Sequence, residues 1–155
     1  MSLVRGVICY KVASFYILDD LIELSVMQSK KRGIVKNGDQ IIVTDHTYEA
    51  CRNTVDYVTK SVGAETIVVE IPFDVKNQKE VVDIIMNSVS EKTVLALIDT
   101  VTSPTGMRMP FEEIIRRLEK ENIDVLLDAA HGAGIIDLDL RQINAAYVTG
   151  NCHKW

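Results

Sequence analysis

The chain has 155 residues, of which 47% are hydrophobic and 25% charged, and its formal net charge is −5. This composition is typical of a globular protein with one hydrophobic core, and it excludes disordered and collagen-like chains. The acidic balance argues against nucleic acid as a partner, because nucleic-acid-binding proteins concentrate Lys and Arg in patches. The three cysteines form no close-spaced pair, and no segment approaches the roughly 20 apolar residues of a membrane span. We therefore expect a soluble, cytoplasmic protein that binds neither nucleic acid nor a membrane.

The first 35 residues form an N-terminal segment with a weak pattern. Residues 7–10 fit a strand and residues 18–27 fit a helix, but no cap or glycine-rich phosphate turn marks the join between them. The sequence assigns no function to this segment.

From residue 36 to residue 155, short β-branched runs alternate with stretches of helical period. Predicted strands are residues 41–43, 66–70, 94–98, 125–127 and 145–148, and predicted helices are residues 48–62, 78–88 and 111–121. A fourth helix is expected between the last two strands, which completes a β-α-β-α-β-α-β-α-β order. Because the strands are nearly all apolar, each is expected to be buried on both faces. The predicted fold class is α/β, with a mostly parallel sheet flanked by helices.

Polar residues follow these strands at the positions where open parallel sheets bind ligands, which is the carboxyl end of each strand. His46 follows the first of them, Asp99 the third, Asp128 and His131 the fourth, and Lys154 the fifth. All three histidines of the chain fall in such segments, His153 being the third. The concentration of histidines, Asp128 and Lys154 at one edge predicts a functional site there.

Asp128 and Lys154 together suggest a particular cofactor. A buried carboxylate needs a cationic or hydrogen-bonding partner, and a half-buried lysine tends to lose its proton and to attack carbonyl groups. A cofactor with a protonatable ring nitrogen and an aldehyde meets both needs. Pyridoxal 5'-phosphate has both groups, and its enzymes hold it with a Lys Schiff base and an Asp on the pyridine nitrogen.

Four motifs carry a family resemblance. They are V-T-D-H-T-Y-E-A-C at residues 43–51, V-T-S-P-T-G at 101–106, D-A-A-H-G at 128–132 and T-G-N-C-H-K-W at 149–155. In this order they resemble the fold-type-I, class-V aminotransferase superfamily of pyridoxal-phosphate enzymes, in its isopenicillin-N-epimerase-like and carbon–sulfur-lyase-like branch. The resemblance covers about three quarters of the chain, from residue 38 to residue 155, and only the central part of such an enzyme.

The resemblance implies a role for each matching residue. Lys154 would be the Schiff-base lysine and then the base at the substrate α-carbon, and Asp128 would keep the pyridine nitrogen protonated. His46 would stack on the cofactor ring, and His131 would lie near the phenolic oxygen of the cofactor. His153, assisted by Asn151, would contact the phosphate.

Two features depart from the family pattern. Ser103 stands where the family often has an Asn bonded to the phenolic oxygen, and a shorter hydroxyl is expected to make that contact here. Residues 8–32 show no clear match to the phosphate-binding turn. For the substrate carboxylate, Arg108 and Arg141 are present but fall in no family motif, so both are expected to face solvent.

The resemblance further implies a homodimeric enzyme with a small amino-acid-type substrate or a cysteine-derived sulfur compound. Its reaction would be epimerisation, β-elimination of sulfur or transamination. The chain is expected to be truncated just after Lys154, which leaves open a catalytically inactive fragment that at most binds the cofactor. A further alternative is a metal-dependent hydrolase with Asp128, His131 and His153 as ligands, although that reaction gives Lys154 no role.

Overall fold

A computed structural model describes residues 6–10, 35–151 and 154, and of residues 6–10 it describes the backbone alone. The strands are β1 (Gly6–Tyr10), β2 (Gln40–Thr44), β3 (Glu65–Val69), β4 (Thr93–Asp99), β5 (Asp124–Asp128) and β6 (Tyr147–Asn151). The helices are α1 (Glu49–Val62), α2 (Gln78–Asn87) and α3 (Phe111–Lys120). Among these residues, no helix has the length and apolar character that crossing a membrane requires.

All six strands form one parallel sheet in the order β1-β6-β5-β4-β2-β3. Because the strands run the same way, their carboxyl ends meet at one edge. Asp99 at the end of β4 is the Cα partner of Asp128 at the end of β5, and Asp128 is the partner of Thr149 in β6. The register therefore sets three polar residues side by side at that edge.

Alternate residues of the central strands face two different helix layers. In β4, Leu95 and Leu97 pack into the apolar cluster that contains α1, whereas Ala96 and Ile98 pack into the cluster that contains α2 and α3. Since successive side chains of a strand point to opposite faces, Asp99 continues the face of Leu95 and Leu97. The same alternation sets Asp128 on the α1 face, two residues after Leu126 of the same cluster.

Helix α3 shows how the sequence builds one of these layers. Phe111, Ile114 and Leu118 repeat at helical spacing and are fully buried. Complete burial of an apolar side chain of this size stabilises the fold by roughly 1.5–3 kcal/mol. Glutamates in the first turn and basic residues in the last turn add favourable interactions with the helix dipole.

The structure confirms the predicted α/β class, the parallel sheet and the three predicted helices, each to within a residue at its ends. The strand expected at residues 7–10 is β1, which pairs with β6. The helix expected at residues 18–27 lies outside the described residues.

Three predictions about the sheet were wrong. Residues 129–146 contain turns in place of the expected fourth helix, because Gly132 closes a turn onto Ala129 and Gly134 adopts a positive φ of 79° that interrupts any helical path. The last strand begins at Tyr147 and continues to Asn151, because pairing with β1 satisfies its backbone over that length. Strand β3 is an edge strand, and its Val68 is 42% exposed.

Candidate functional site

The carboxyl edge of the sheet collects buried polar side chains from four strand ends. Thr44, Asp99, Asp128, Thr149 and Asn151 end or nearly end their strands, and all five are at most 9% exposed. Buried polar groups are costly unless they are hydrogen-bonded, so this edge differs from the apolar body of the sheet. Such a position is where a parallel sheet offers groups to a ligand.

Asp128 is a nearly enclosed carboxyl group of this edge, at 4% exposure. Its Oδ1 accepts a hydrogen bond from the Ala130 N–H at 2.8 Å, and the Cys51 Sγ lies 3.8 Å from its Oδ2. Burial raises the pKa of Asp128, and the Ala130 N–H, the charge of Lys154 and the Cys51 thiol oppose that rise. The sequence had placed Asp128 and Lys154 together, but it gave no indication that Cys51 approaches the same carboxyl group.

Asp99 is a second buried carboxyl group beside Asp128, at 3% exposure. Its Oδ2 accepts a hydrogen bond from the Thr47 hydroxyl at 3.4 Å. Burial, followed by the negative charge of Asp128, raises the pKa of Asp99 well above its usual range. Because two neighbouring buried carboxyl groups do not both ionise readily, Asp99 is the member of the pair that holds its proton more strongly. The sequence had marked Asp99 as a strand-end residue without a role.

Lys154 and His131 meet next to this pair. The Lys154 Nζ lies 3.3 Å from the His131 Nε2, and the charge of Lys154 acts on both His131 and Asp128. Burial, and then the charge of Lys154, lower the pKa of His131. Asp128, His131 and Lys154, predicted from the sequence as site residues, are therefore brought together.

His46 is buried in a separate group of strand-end loops. Its Nδ1 lies 2.8 Å from the Thr105 hydroxyl, and its Nε2 lies 2.8 Å from the main-chain carbonyl oxygen of Ile71. The Phe73 ring stacks beside the imidazole, with ring centroids 6.4 Å apart and planes 18° from parallel. The loops after β2, β3 and β4 thus converge on this one ring.

The V-T-S-P-T-G motif contributes Thr105 and Thr102 to the structure of this edge, whereas Ser103 is exposed and makes no hydrogen bond within the described residues. Gly106 follows with a φ of 65°, which returns the loop to Thr102 through a hydrogen bond from its N–H. The family pattern pointed to Ser103 as a cofactor contact and gave Thr105 no role, although both belong to the same motif.

At the end of β6, Asn151 is buried and lies opposite Tyr10 of β1. Two residues earlier, the Thr149 hydroxyl is buried and has no hydrogen-bond partner within the described part of the chain. An unpartnered buried hydroxyl beside Asp128 fits a site that is completed by a bound polar group. His153, predicted to contact phosphate, lies outside the described residues.

The profile of the family described as aminotransferase class-V matches residues 22–155. This chain belongs to the class-V aminotransferase family. Pyridoxal phosphate is the cofactor of that family, as the strand-end Asp128 and Lys154 had predicted.

Relatives of this class-V chain include a probable L-cysteine desulfhydrase of Arabidopsis thaliana, which is 33% identical over 133 residues, or 81% of this chain. An isopenicillin N epimerase of Streptomyces clavuligerus is 27% identical over 116 residues, or 75% of this chain. The chain spans only 28% and 29% of the lengths of these two relatives. Both branches named in the predicted resemblance are therefore represented among its relatives.

Among solved structures, a cysteine desulfurase of Escherichia coli superimposes with a TM-score of 0.76 at 20% identity. The superposition covers 88% of this chain and 33% of the desulfurase. At that identity the likeness concerns the fold alone, and it confirms that the parallel sheet is that of this class of enzyme.

Two arginines of the class-V chain that the sequence offered for a substrate carboxylate are occupied elsewhere. Arg108 pairs with Glu112 at 2.6 Å, and Arg141 pairs with Asp139 at 2.8 Å. Both are substantially exposed, as predicted.

The described residues contain no group of three His, Cys, Asp or Glu side chains arranged to hold a metal ion. In particular, Asp128 and His131 are not joined by a third ligand within residues 6–10, 35–151 and 154. The alternative of a metal-dependent hydrolase thus gains no support from the described part of its ligand set.

Proposed function

We propose that this chain is the cofactor-binding part of a pyridoxal-phosphate enzyme that acts at the α-carbon of an amino acid or of a cysteine-derived sulfur compound. The observation that carries the proposal is the meeting of buried Asp128 with His131 and Lys154 at the carboxyl edge of the sheet. A carboxyl group is held there away from solvent, next to an amine that remains accessible. A cationic ring and an aldehyde are the two groups that such a pair accommodates.

Lys154 would hold the cofactor through a Schiff base and would then move a proton at the substrate α-carbon. Asp128 would accept a hydrogen bond from the protonated pyridine nitrogen, since its carboxylate is already oriented by the Ala130 N–H. When bound, pyridoxal phosphate supplies an electron sink for the bond that breaks at the α-carbon. The protein holds Asp128 out of water, where the interaction of its carboxylate with a cation is strongest, and the Ala130 N–H, Lys154 and the Cys51 thiol favour its charged form against the effect of burial.

The other proposed contacts with the cofactor are assigned from the places of these residues in the family motifs. His46 would place a ring face against the cofactor, and His131, with its lowered pKa, would be a neutral partner for the phenolic oxygen. Ser103 would serve the same oxygen from the loop after β4, while Asn151 and His153 would bind the phosphate. The Thr149 hydroxyl, which is buried beside Asp128, is available to complete this set.

The substrate class is proposed from the relatives, whose names are those of an L-cysteine desulfhydrase and an isopenicillin N epimerase. β-Elimination of sulfur, epimerisation and transamination all begin with removal of the proton on the substrate α-carbon, so Lys154 as base would serve any of the three. We further propose that the working enzyme is a cytoplasmic homodimer.

Absorption spectroscopy tests the proposal. Pyridoxal phosphate added to the purified chain is expected to give the visible band of a protonated Schiff base, and Lys154→Ala is expected to abolish it. Lys120→Ala is the matched control, because Lys120 is an exposed lysine in the last turn of α3, away from the carboxyl edge. A band of equal intensity in Lys154→Ala would overturn the proposal.

A further inference from the structure

A continuous row of hydrogen bonds runs through the V-T-S-P-T-G loop to His46. The Met107 N–H donates to the Thr102 hydroxyl at 2.9 Å, and the Thr102 and Thr105 hydroxyls lie 2.6 Å apart. The Thr105 hydroxyl lies 2.8 Å from the His46 Nδ1, and the His46 Nε2 lies 2.8 Å from the Ile71 carbonyl oxygen. Three loops, after β2, β3 and β4, are joined by this row.

The acceptors around Nε2 decide where the imidazole proton resides. Nε2 faces the Ile71 carbonyl oxygen at 2.8 Å and the Asp45 carboxylate at 3.7 Å, and neither group can donate. A lone pair on Nε2 would meet a carbonyl lone pair at hydrogen-bond distance, which is repulsive. Nε2 therefore carries the hydrogen and donates it to the Ile71 carbonyl.

The direction of the remaining bonds follows from that choice. In the neutral ring, Nδ1 is then an acceptor, so the Thr105 hydroxyl donates to it. The Thr105 oxygen in turn accepts from the Thr102 hydroxyl, whose own oxygen accepts from the Met107 N–H. Every bond in the row then points toward His46 and on to Ile71. The Met107 carbonyl oxygen, 3.4 Å from the Thr102 hydroxyl, is a more distant acceptor than Thr105 at 2.6 Å.

We propose that Thr105, supported by Thr102, is a positioning residue that fixes the plane of the His46 ring for stacking on the cofactor, through the hydrogen bond that its hydroxyl donates to Nδ1. The inference rests on the proposed function in so far as His46 faces the cofactor. Because both nitrogens are bonded in the plane of the ring, the ring presents its faces and not its edge. One face lies beside Phe73, and the other is the face that would stack on the cofactor.

This arrangement separates two roles that a histidine in an active site can have. A proton-transferring histidine needs one nitrogen directed at the substrate, whereas both nitrogens of His46 are directed at protein groups. His46 therefore acts through its π surface, and the hydrogen bond from the Thr105 hydroxyl restrains rotation of the ring.

Nitrogen NMR of the chain labelled with 15N-histidine tests the tautomer without added cofactor. Above the pH at which imidazole groups titrate, two-bond 15N–1H correlations are expected to report the Nε2–H form for His46, assigned by the loss of its signals in His46→Asn. Thr105→Val is expected to leave the Nε2–H form in place and to shift the Nδ1 signal, because Nδ1 loses its hydrogen-bond donor, and Thr105→Ser, which keeps the hydroxyl, is expected to restore that signal. Thr54→Val is the matched control, because among the described residues its hydroxyl bonds only the Ala50 carbonyl oxygen in α1, and it is expected to leave the His46 signals unchanged.

The affinity for pyridoxal phosphate gives the second readout. Thr105→Val is expected to weaken binding about tenfold, the effect of one lost buried hydrogen bond, and Thr105→Ser to recover it. An Nδ1–H tautomer in the unmodified chain, or a Thr105→Val variant with unchanged signals and affinity, would overturn the inference. If the chain bound no pyridoxal phosphate at all, the proposed function would fail, whereas the Nδ1 signal of Thr105→Val would still decide whether Thr105 orients His46.

Discussion

The body of the sheet and its carboxyl edge are made by the same strands, yet their side chains have opposite chemistry. Along one face of β4, Leu95 and Leu97 are almost completely buried against the α1 layer, and the next residue on that face is Asp99. Along β5, Leu126 is followed in the same way by Asp128. Apolar burial stabilises the fold, whereas burial of a carboxyl group costs free energy because hydration is lost. Apolar packing in the body of the sheet thus offsets the free-energy cost of burying Asp99 and Asp128 at the edge.

The two carboxyl groups of the edge also differ from each other. Asp128 is stabilised by the Ala130 N–H, the charge of Lys154 and the Cys51 thiol, whereas Asp99 has the Thr47 hydroxyl and its own N–H. The charged form is therefore favoured more strongly at the residue that faces a cation, and the proton is held more strongly by its neighbour.

The largest effect on stability is expected in the body. Leu97→Ala should lower the free energy of unfolding by about 2–5 kcal/mol, because it removes a completely buried side chain and leaves a cavity. Urea denaturation followed by circular dichroism measures this change. Tyr57→Ala, at a residue that is 66% exposed, is the control and should change stability by less than about 0.5 kcal/mol. Equal effects of the two substitutions would contradict the packing described for the α1 layer.

At the carboxyl edge, a substitution is expected to raise the free energy of unfolding, the opposite of the effect in the body. The folded pKa of Asp99 lies above its unfolded value of about 4, so the folded state binds the proton more strongly and stability falls as pH rises through this window. Asp99→Asn cannot ionise, so its stability relative to the unmodified chain should increase with pH, by up to about 1.4 kcal/mol per pH unit between the two pKa values. Thermal or urea unfolding at a series of pH values measures the difference. A difference that is independent of pH would show that Asp99 is not the protonated member of the pair.

The smallest effect is expected at His131. Its folded pKa is lowered, so the unfolded state binds the proton more strongly, and stability is lost as pH falls below the unfolded value of about 6.5. His131→Gln should remove that part of the acid destabilisation, with a gain smaller than that of Asp99→Asn because the ring is partly exposed. Identical acid unfolding of the variant and the unmodified chain would show that burial and the charge of Lys154 do not lower the pKa of His131.

Sequence reasoning predicted much of the sheet because buried parallel strands have a simple signature. Runs such as residues 94–98 and 125–127 are apolar and short, and the polar residues that follow them fall at one edge once the strands are parallel. The association of Asp128 with His131 and Lys154 follows from that rule alone.

Two features of the site that the sequence did not predict depend on contacts between residues far apart in the chain. Thr105 has an ordinary position in its motif, and only the fold brings its hydroxyl to His46, 59 residues earlier. The protonation of Asp99 arises from burial and from a register partner on the next strand, neither of which has a local signature. The fourth helix is absent from residues 129–146 because of the local backbone conformation. The Gly132 N–H closes a turn onto Ala129, and Gly134 has a positive φ, where the alternating pattern suggested a helix.

The most direct test of the proposal that the carboxyl edge holds pyridoxal phosphate through Lys154 is chemical trapping. The purified chain is incubated with pyridoxal phosphate, reduced with borohydride, digested and mapped by mass spectrometry. We expect the reduced cofactor on the peptide that contains Lys154, at close to one per chain. Modification spread over exposed lysines, with Lys154 unmodified, would contradict it.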